Sequence, residues 1–344
     1  MAENARVQRS MFTIDLGAVR RNAGTLLRAA GGAELWAVVK ADGYGHGAVD
    51  VGKTALEAGA TALCVATLPE ALELRRALPE ARVVVMGPVD EREVAEARAA
   101  TLELVATGAR APEGVPVHVK LDTGMGRWGL SELTAPARNV VGVMSHLAVA
   151  ESDPEFTRLQ IERFREATDD LEGLTRHIAN SAGTLRFPEA AFDAVRCGIA
   201  LYGISPLGTD PSDDGLEPAL RWESYLALVK RLAPGESTGY GRRFVAERPT
   251  WIGLVPVGYA DGFRRNLTGT EVLVAGERRR VVGTISMDAL AIELDREQPE
   301  GTPVTLIGDG VLVEDHARVA GTIGYEIVTG LRTGHARAER VVLP

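Results

Sequence analysis

Along the first two-thirds of the chain, short apolar runs alternate with longer stretches of helical periodicity. The runs Leu35–Lys40, Ala62–Thr67, Arg82–Gly87, Leu102–Thr107, Val115–Asp122, Val140–His146, Thr175–Asn180 and Ala194–Gly198 predict eight strands. Helix punctuation falls between them. Asp15 precedes a helix over Leu16–Ala30 that stops at Gly31-Gly32, and Pro69 sits at the start of another over Glu70–Leu78. Asp90 with Glu93 gives an acidic helix start, and Asp153-Pro154 opens a helix with Phe156, Leu159 and Phe164 on or near one face. Eight strand–helix alternations ending near residue 200 predict a (β/α)8 TIM barrel, a fold of roughly 200–250 residues. No GxGxxG follows the first strand, which disfavours an open doubly wound sheet.

After residue 222 the pattern changes to strands punctuated by Gly and Pro: Tyr225–Leu232, Pro249–Val257, Glu271–Val274, Arg279–Gly283, Ala289–Leu294 and Pro303–Ile307. The stretch Ser205–Pro218, rich in Gly, Pro, Ser and Asp, is the natural boundary. The expected architecture is α/β: an N-terminal barrel over 12–222 and a mostly-β domain over 223–344, with residues 1–11 packing against the second domain.

Composition narrows the function classes. The 344 residues are 45% hydrophobic and 25% charged, the usage of an ordinary globular chain. A net charge of −9 argues against a nucleic-acid partner, which wants a basic surface. The apolar runs are far shorter than the roughly 20 residues of a spanning helix, and the N-terminus lacks a secretory apolar segment, so a cytoplasmic protein without a membrane partner is expected. The two cysteines, Cys64 and Cys197, lie in apolar runs and read as buried free thiols. His46, His118, His177, His316 and His335 show no metal spacing, so no metal is expected.

Barrels of this type build their sites at the C-terminal ends of the strands. Here five predicted strand ends carry polar groups: Lys40; Lys120 and Asp122; His146; Asn180-Ser181; and Arg196 before Gly198. A lysine buried at such a mouth can lose its proton and act as a nucleophile toward a carbonyl. The turn after Lys40, with Tyr44, Gly45 and Gly47, can approach a phosphate closely. Backbone N–H groups at Gly198 and Ile199, beside Ser181, occupy the place where these barrels frequently bind phosphate.

Nine segments in chain order carry a resemblance: AVVKADGYGHG (37–47), VHVKLDTGMGRWGL (117–130), MSHLAVAESD (144–153), HIANSAGT (177–184), VRCGIALYG (195–203), STGYGRRF (237–244), PVGYADG (256–262), GTISMDA (283–289) and TIGYEIV (322–328). Together they resemble the alanine racemases, pyridoxal-phosphate enzymes of fold type III. The resemblance implies that Lys40 carries pyridoxal 5'-phosphate covalently, that Tyr44, Ser181, Gly198, Ile199 and Tyr325 hold its phosphate beside Asn180, that His146 lies against the ring and that Arg196 faces the ring nitrogen. It also implies that Lys40 and Tyr240 are the two catalytic acid–base residues, that Arg127 and the Met287 backbone take the substrate carboxylate, and that Lys120 is a lysine often carbamylated in the family. The activity implied is interconversion of L- and D-alanine for peptidoglycan, in a homodimer where Tyr240 and Met287 reach into the partner's barrel.

The residue types suit that chemistry, since racemisation needs a base on each face of the substrate. Related barrel decarboxylases place a Glu at the ring nitrogen and a Gly-rich phosphate loop, where this chain has Arg196 and no such loop. Non-catalytic cofactor-binding barrels lack the second domain. Two departures from the family pattern stand out: Ser286 where cysteine is common, and the ending GLRTGHARAERVVLP.

Overall fold

The computed structural model describes residues 8–108, 111–133, 137–334 and 337–344; His335 and most of the segment 1–11 lie outside them. The described chain divides into two compact units, one of Ala18–Glu217 and one of residues up to Gly17 together with Pro218–Pro344.

All eight strands expected in the first unit form, as Glu34–Val38, Ala62–Val65, Val83–Val85, Glu103–Ala106, Val117–Lys120, Val140–Met144, Thr175–His177 and Ala194–Cys197. Each runs parallel to the next, and the eighth returns to the first with Glu34 opposite Ala194 and Ala37 opposite Cys197. The ring closes between the seventh and eighth strands, where Asp193 N–H donates to the Arg176 carbonyl and Arg196 N–H to the Ala179 carbonyl, both at 3.0 Å. Strands covered on both faces read as continuous apolar runs, which is why they were visible in the sequence. Cys64 and Cys197 are buried free thiols, as expected.

Helix Leu68–Ala77 starts where Pro69 suggested, with Thr67 as its cap and Glu70 closing a capping box. Helix Pro154–Thr168 is capped by Asp153, which accepts the Phe156 N–H at 3.0 Å. Its inward face differs from expectation. Thr157, Gln160, Ile161, Phe164 and Thr168 are buried, whereas Leu159 is 44% exposed, being one residue off the stripe set by the 3.6-residue repeat. The segment Ser205–Pro218 is ordered by a 3-10 turn, Pro211–Asp214, with Asp210 accepting the Ser212 N–H.

The second unit is built on a nine-stranded sheet. Its order is Leu228–Leu232, Thr250–Val255, Leu290–Leu294, Glu277–Val282, Glu271–Val274, Pro303–Ile307, Leu220–Tyr225, Met11–Asp15 and Glu339–Leu343. Two features depart from the sequence reading. Met11–Asp15, assigned to the barrel by a boundary at residue 12, pairs with Leu220–Tyr225 and Glu339–Leu343 in this sheet. The single strand expected over Tyr225–Leu232 is two strands with different partners, because the chain turns at Leu226-Ala227. Phe12 stacks on Trp222 with ring centroids 4.9 Å apart, and Phe263 packs against the same indole, forming the core of this side of the sheet. A second cluster gathers Leu232, Ala246, Ile252, Val282 and Ala291.

Among the described residues, no helix is long and apolar enough to cross a membrane, and no group of three or more His, Cys, Asp or Glu could hold a metal ion.

Candidate active site

Lys40 stands where the first barrel strand ends, and the chain after it does something uncommon. Ala41, Asp42, Gly43 and Tyr44 all take positive φ, between 51° and 59°, a left-handed turn that costs non-glycine residues about 1–2 kcal/mol each. Specific anchors hold it. Glu70 Oε1 accepts the Ala41 N–H at 2.7 Å, Asp42 Oδ1 accepts the Ala48 N–H at 2.9 Å, and Gly43 N–H returns to the Val39 carbonyl at 2.8 Å. The Tyr202 ring packs against Tyr44 and His46, and its hydroxyl donates to the Val38 carbonyl. Burial, together with the positive charge of Arg127, lowers the Lys40 pKa from the usual lysine range.

Arg196 on the eighth strand is buried at the same end of the barrel. Nη1 donates to His177 Nδ1 at 2.7 Å and to the His177 carbonyl at 2.9 Å; Nη2 donates to the Ser145 carbonyl at 2.7 Å and the Ile178 carbonyl at 3.2 Å, and lies 3.4 Å from His146 Nδ1. Among the described residues it makes no ion pair, so a full positive charge is held by carbonyl dipoles and imidazole nitrogens. Burial pushes it down to about 10. Burial and then the Arg196 charge keep His146 far below the usual histidine range, hence neutral.

Lys120 ends the fifth strand and is buried; burial, then Arg127 and Arg196, push its amine down to about 8. Its ammonium nitrogen lies 5.7 Å from the Trp128 ring centre, and the Arg127 guanidinium 5.4 Å from the same ring. Asp122 folds the loop that carries Arg127, accepting the N–H groups of Gly124, Met125 and Gly126 at 2.8–3.1 Å. The loop returns so closely at Gly129, φ 128°, that a Cβ there would lie 2.8 Å from the Asp122 nitrogen.

At the seventh and eighth strand ends, Ser181 Oγ accepts the Gly198 N–H at 3.1 Å and the Ala200 N–H at 3.4 Å. A Cβ on residue 198 would come within 2.5 Å of the Tyr44 hydroxyl, so only glycine permits this approach. Ile199 is buried in the turn that follows. Asn180 works mainly on its own helix: its Oδ1 accepts the Gly183 N–H at 2.9 Å as the cap of Ser181–Arg186. Lys40, Tyr44, Lys120, Arg127, His146, Asn180, Ser181, Arg196, Gly198 and Ile199 thus all belong to the barrel unit.

Tyr240, Met287 and Tyr325 belong to the other unit. Tyr240 and Met287 are 71% and 52% exposed and line a concave surface of about 930 Å³ with Tyr259, Arg264, Arg265 and Asp288. Gly239 and Gly241, both at positive φ, bracket Tyr240, whose carbonyl accepts the Thr284 hydroxyl at 2.8 Å. The Met287 carbonyl accepts the Ala260 N–H, and Gly258 lies so close that a Cβ there would be 2.3 Å from the Ser286 carbonyl oxygen. Asp261 is a buried turn residue whose carboxylate accepts from Gly258 N–H and Arg337. Tyr325 sits half-buried in helix Gly324–Thr329.

Sequence reasoning passed over Glu70 and Tyr202 as supports of the site and marked Asp122 only as a polar strand end. Asp122 carried a readable signal, an aspartate followed by glycines two and four residues later. Tyr202 lay within a quoted motif but gave no sign that it would pack under the Lys40 turn.

Residues 14–206 match the family described as "Alanine racemase, N-terminal domain" and residues 219–342 that described as "Alanine racemase, C-terminal domain". "Alanine racemase 1" of Bacillus subtilis is 40% identical, covering 91% of this chain and 88% of that protein. The biosynthetic alanine racemase of Pseudomonas aeruginosa superposes with a TM-score of 0.90 at 37% identity, over 98% of this chain and 100% of that one. The alanine racemase of Bartonella henselae, whose crystal structure holds covalently bound pyridoxal phosphate, gives 0.87 at 27% identity, over 97% and 99%. With both of its units matched in order and at that identity, the chain belongs to the alanine racemase family of pyridoxal-phosphate-dependent isomerases.

Proposed function

We propose that this chain interconverts L- and D-alanine by proton transfer at Cα, with pyridoxal phosphate held at the barrel mouth, Lys40 and Tyr240 as the two acid–base groups, and Tyr240 supplied by a second copy of the chain. The observation that carries the reading is the cluster of Lys40, Lys120, Arg127 and Arg196 at one end of the barrel, in which burial and neighbouring guanidinium charge lower the Lys40 amine toward its reactive neutral form.

The residues present fit the cofactor. The close approach of Tyr44 to Gly198, with Ser181 gathering two backbone N–H groups and Ile199 buried in the turn that follows, is a cradle suited to a phosphate; the family resemblance alone adds Tyr325 as a further phosphate contact. Asn180 fixes the helix start beside Ser181. His146, neutral beside Arg196, would pack against the ring. Arg196 would face the ring nitrogen, where a guanidinium donates a hydrogen bond and does not readily give up its proton. Pyridoxal phosphate, when bound, supplies an electron-withdrawing ring that spreads the charge left at Cα after deprotonation.

Lys40 Nζ takes or returns the proton on one face of the substrate, and Tyr240 Oη does the same on the other. Arg127, with the Met287 backbone, binds the substrate carboxylate, and Lys120 orients Arg127, carbamylation of its amine giving a negative partner for the guanidinium. The exposure of Tyr240 and Met287 on one concave surface supports a homodimer in which each copy completes the other's site. Two buried free thiols suit a cytoplasmic setting, where the D-alanine would supply peptidoglycan.

Chiral analysis of L-alanine and, separately, D-alanine incubated with the protein and added pyridoxal phosphate tests this reading. Both are expected to converge on an equal mixture. If both enantiomers persist while the protein shows the yellow colour of bound cofactor, the racemase reading is wrong and only the cofactor site stands.

A further inference from the structure

Behind Arg196, through the centre of the barrel, runs a line of polar groups that the reaction does not touch. Arg196 Nη1 lies 2.7 Å from His177 Nδ1, His177 Nε2 lies 3.0 Å from His118 Nδ1, and His118 Nε2 lies 2.8 Å from Glu103 Oε2. Glu103 is the first residue of its strand and so sits at the opposite end of the barrel from the mouth. Its two carboxylate oxygens accept from Arg82 Nε at 2.7 Å and Nη2 at 3.0 Å. Both histidines are fully buried.

The direction of this line is determined by its ends. A guanidinium can only donate, so His177 Nδ1 must accept and its proton must sit on Nε2. That proton points at His118 Nδ1, which therefore accepts, leaving the His118 proton on Nε2. A carboxylate can only accept, and Glu103 receives it. Any other tautomer sets N–H against N–H or lone pair against lone pair somewhere along the line. Both rings must also be neutral, and burial does lower both histidines from their usual range. Glu103 stays ionised: burial opposes its charge, yet hydrogen bonds from His118 and Arg82 hold it down to about 2.

The surroundings are shaped for the ring pair. A Cβ at Gly142 would lie 2.3 Å from His118 Nδ1, so only glycine leaves room for the junction between the two imidazoles. Trp36 packs on both rings, with centroids 4.4 Å from His177 and 5.4 Å from His118, and Arg82 covers the same indole at 4.6 Å.

We infer that Glu103 and His118 are positioning residues for Arg196, the carboxylate at the floor of the barrel fixing the guanidinium at its mouth through two neutral histidines held as Nε2–H tautomers. The inference rests on the proposed role of Arg196 toward the cofactor ring. It gives a buried cation without an ion pair a distant anionic counterpart, and hydrogen bonds in such a chain polarise one another. Losing the far end loosens Arg196 without removing any group that touches substrate.

The test is nitrogen-15 NMR of histidine-labelled protein as purified, joined to kinetics of Glu103→Gln, which preserves shape and an acceptor oxygen while removing the charge. At pH 7 both His118 and His177 are expected to show the Nε2–H pattern. In Glu103→Gln the His177 Nδ1 resonance should shift, and kcat for alanine should fall about fivefold, the size of roughly one hydrogen bond, with KM within about twofold. Glu217→Gln, whose exposed carboxylate pairs with Arg21 away from the line, should leave both unchanged. A protonated Nδ1 on either ring, a cationic ring at pH 7, or a Glu103→Gln protein with wild-type kcat and an unmoved His177 resonance would overturn the inference. If the wild-type chain fails to racemise alanine, the reading of the site falls while the tautomers still decide whether the line exists as described.

Discussion

Two lysines share the guanidinium field at the barrel mouth, and their surroundings separate their roles. Lys40 is half-buried with the Glu70 carboxylate partly offsetting Arg127, whereas Lys120 is buried between Arg127 and Arg196. Only a neutral amine reacts with carbon dioxide, and with Lys120 pushed down to about 8 its neutral fraction grows as pH rises through that value. We therefore expect carbon-13 NMR of protein in labelled bicarbonate to show a carbamate signal that strengthens from about pH 6 to about pH 9 and is absent from Lys120→Met. No such signal at the upper pH would leave Lys120 an unmodified lysine. At this scale the sequence was legible wherever a polar side chain ended an apolar strand: Lys40, Lys120, His146 and Arg196 all announced themselves. His177 and His118 did not, because their pairing depends on a parallel register that brings residues 59 positions apart to one point inside the barrel. A histidine inside an apolar run looks the same in sequence whether it fills space or relays a hydrogen bond.

The elements matter to function by what their ends hold. Helix Leu68–Ala77 begins with a glutamate that does more than close its own capping box: Glu70 accepts the Ala66 and Thr67 N–H groups and also that of Ala41, tying the helix start to the strained turn after Lys40. Glu70→Ala removes all three hydrogen bonds and leaves the left-handed turn with one anchor fewer. The expected cost is about 2 kcal/mol, a fall of about 5 °C in the thermal midpoint of the barrel unit, with Glu70→Gln intermediate. An unchanged midpoint in Glu70→Ala would show that the turn is held by its remaining contacts. The helix start was visible from Pro69, but the second use of Glu70 was not, since nothing local links residue 70 to residue 41. The same limit explains Met11–Asp15, a short strand whose partners Leu220–Tyr225 and Glu339–Leu343 lie some 200 and 300 positions along the chain. Leu159 failed for a different reason: apolar character suggested the inward face, and the helical repeat placed it outside.

For the whole molecule, the sequence disclosed the barrel because parallel strands buried on both faces leave continuous apolar runs. The second unit was less legible, since its sheet draws strands from both ends of the chain. The residues proposed to act divide between the units in the same way: the lysines, guanidiniums and proposed phosphate cradle in the barrel, and Tyr240 with Met287 on the exposed concave surface of the other. In a two-fold symmetric pair the same surface is used twice, so each copy would lend its tyrosine to the other's barrel. The central claim is that one working site takes Lys40 from one copy and Tyr240 from another. Co-expression of Lys40→Ala and Tyr240→Phe chains, each inactive or nearly so alone, tests it most directly. Random pairing makes half the dimers mixed, and each mixed dimer has one site with both residues intact, so racemase activity should return to about a quarter of wild type. Activity no greater than that of the two variants measured separately would contradict the shared site.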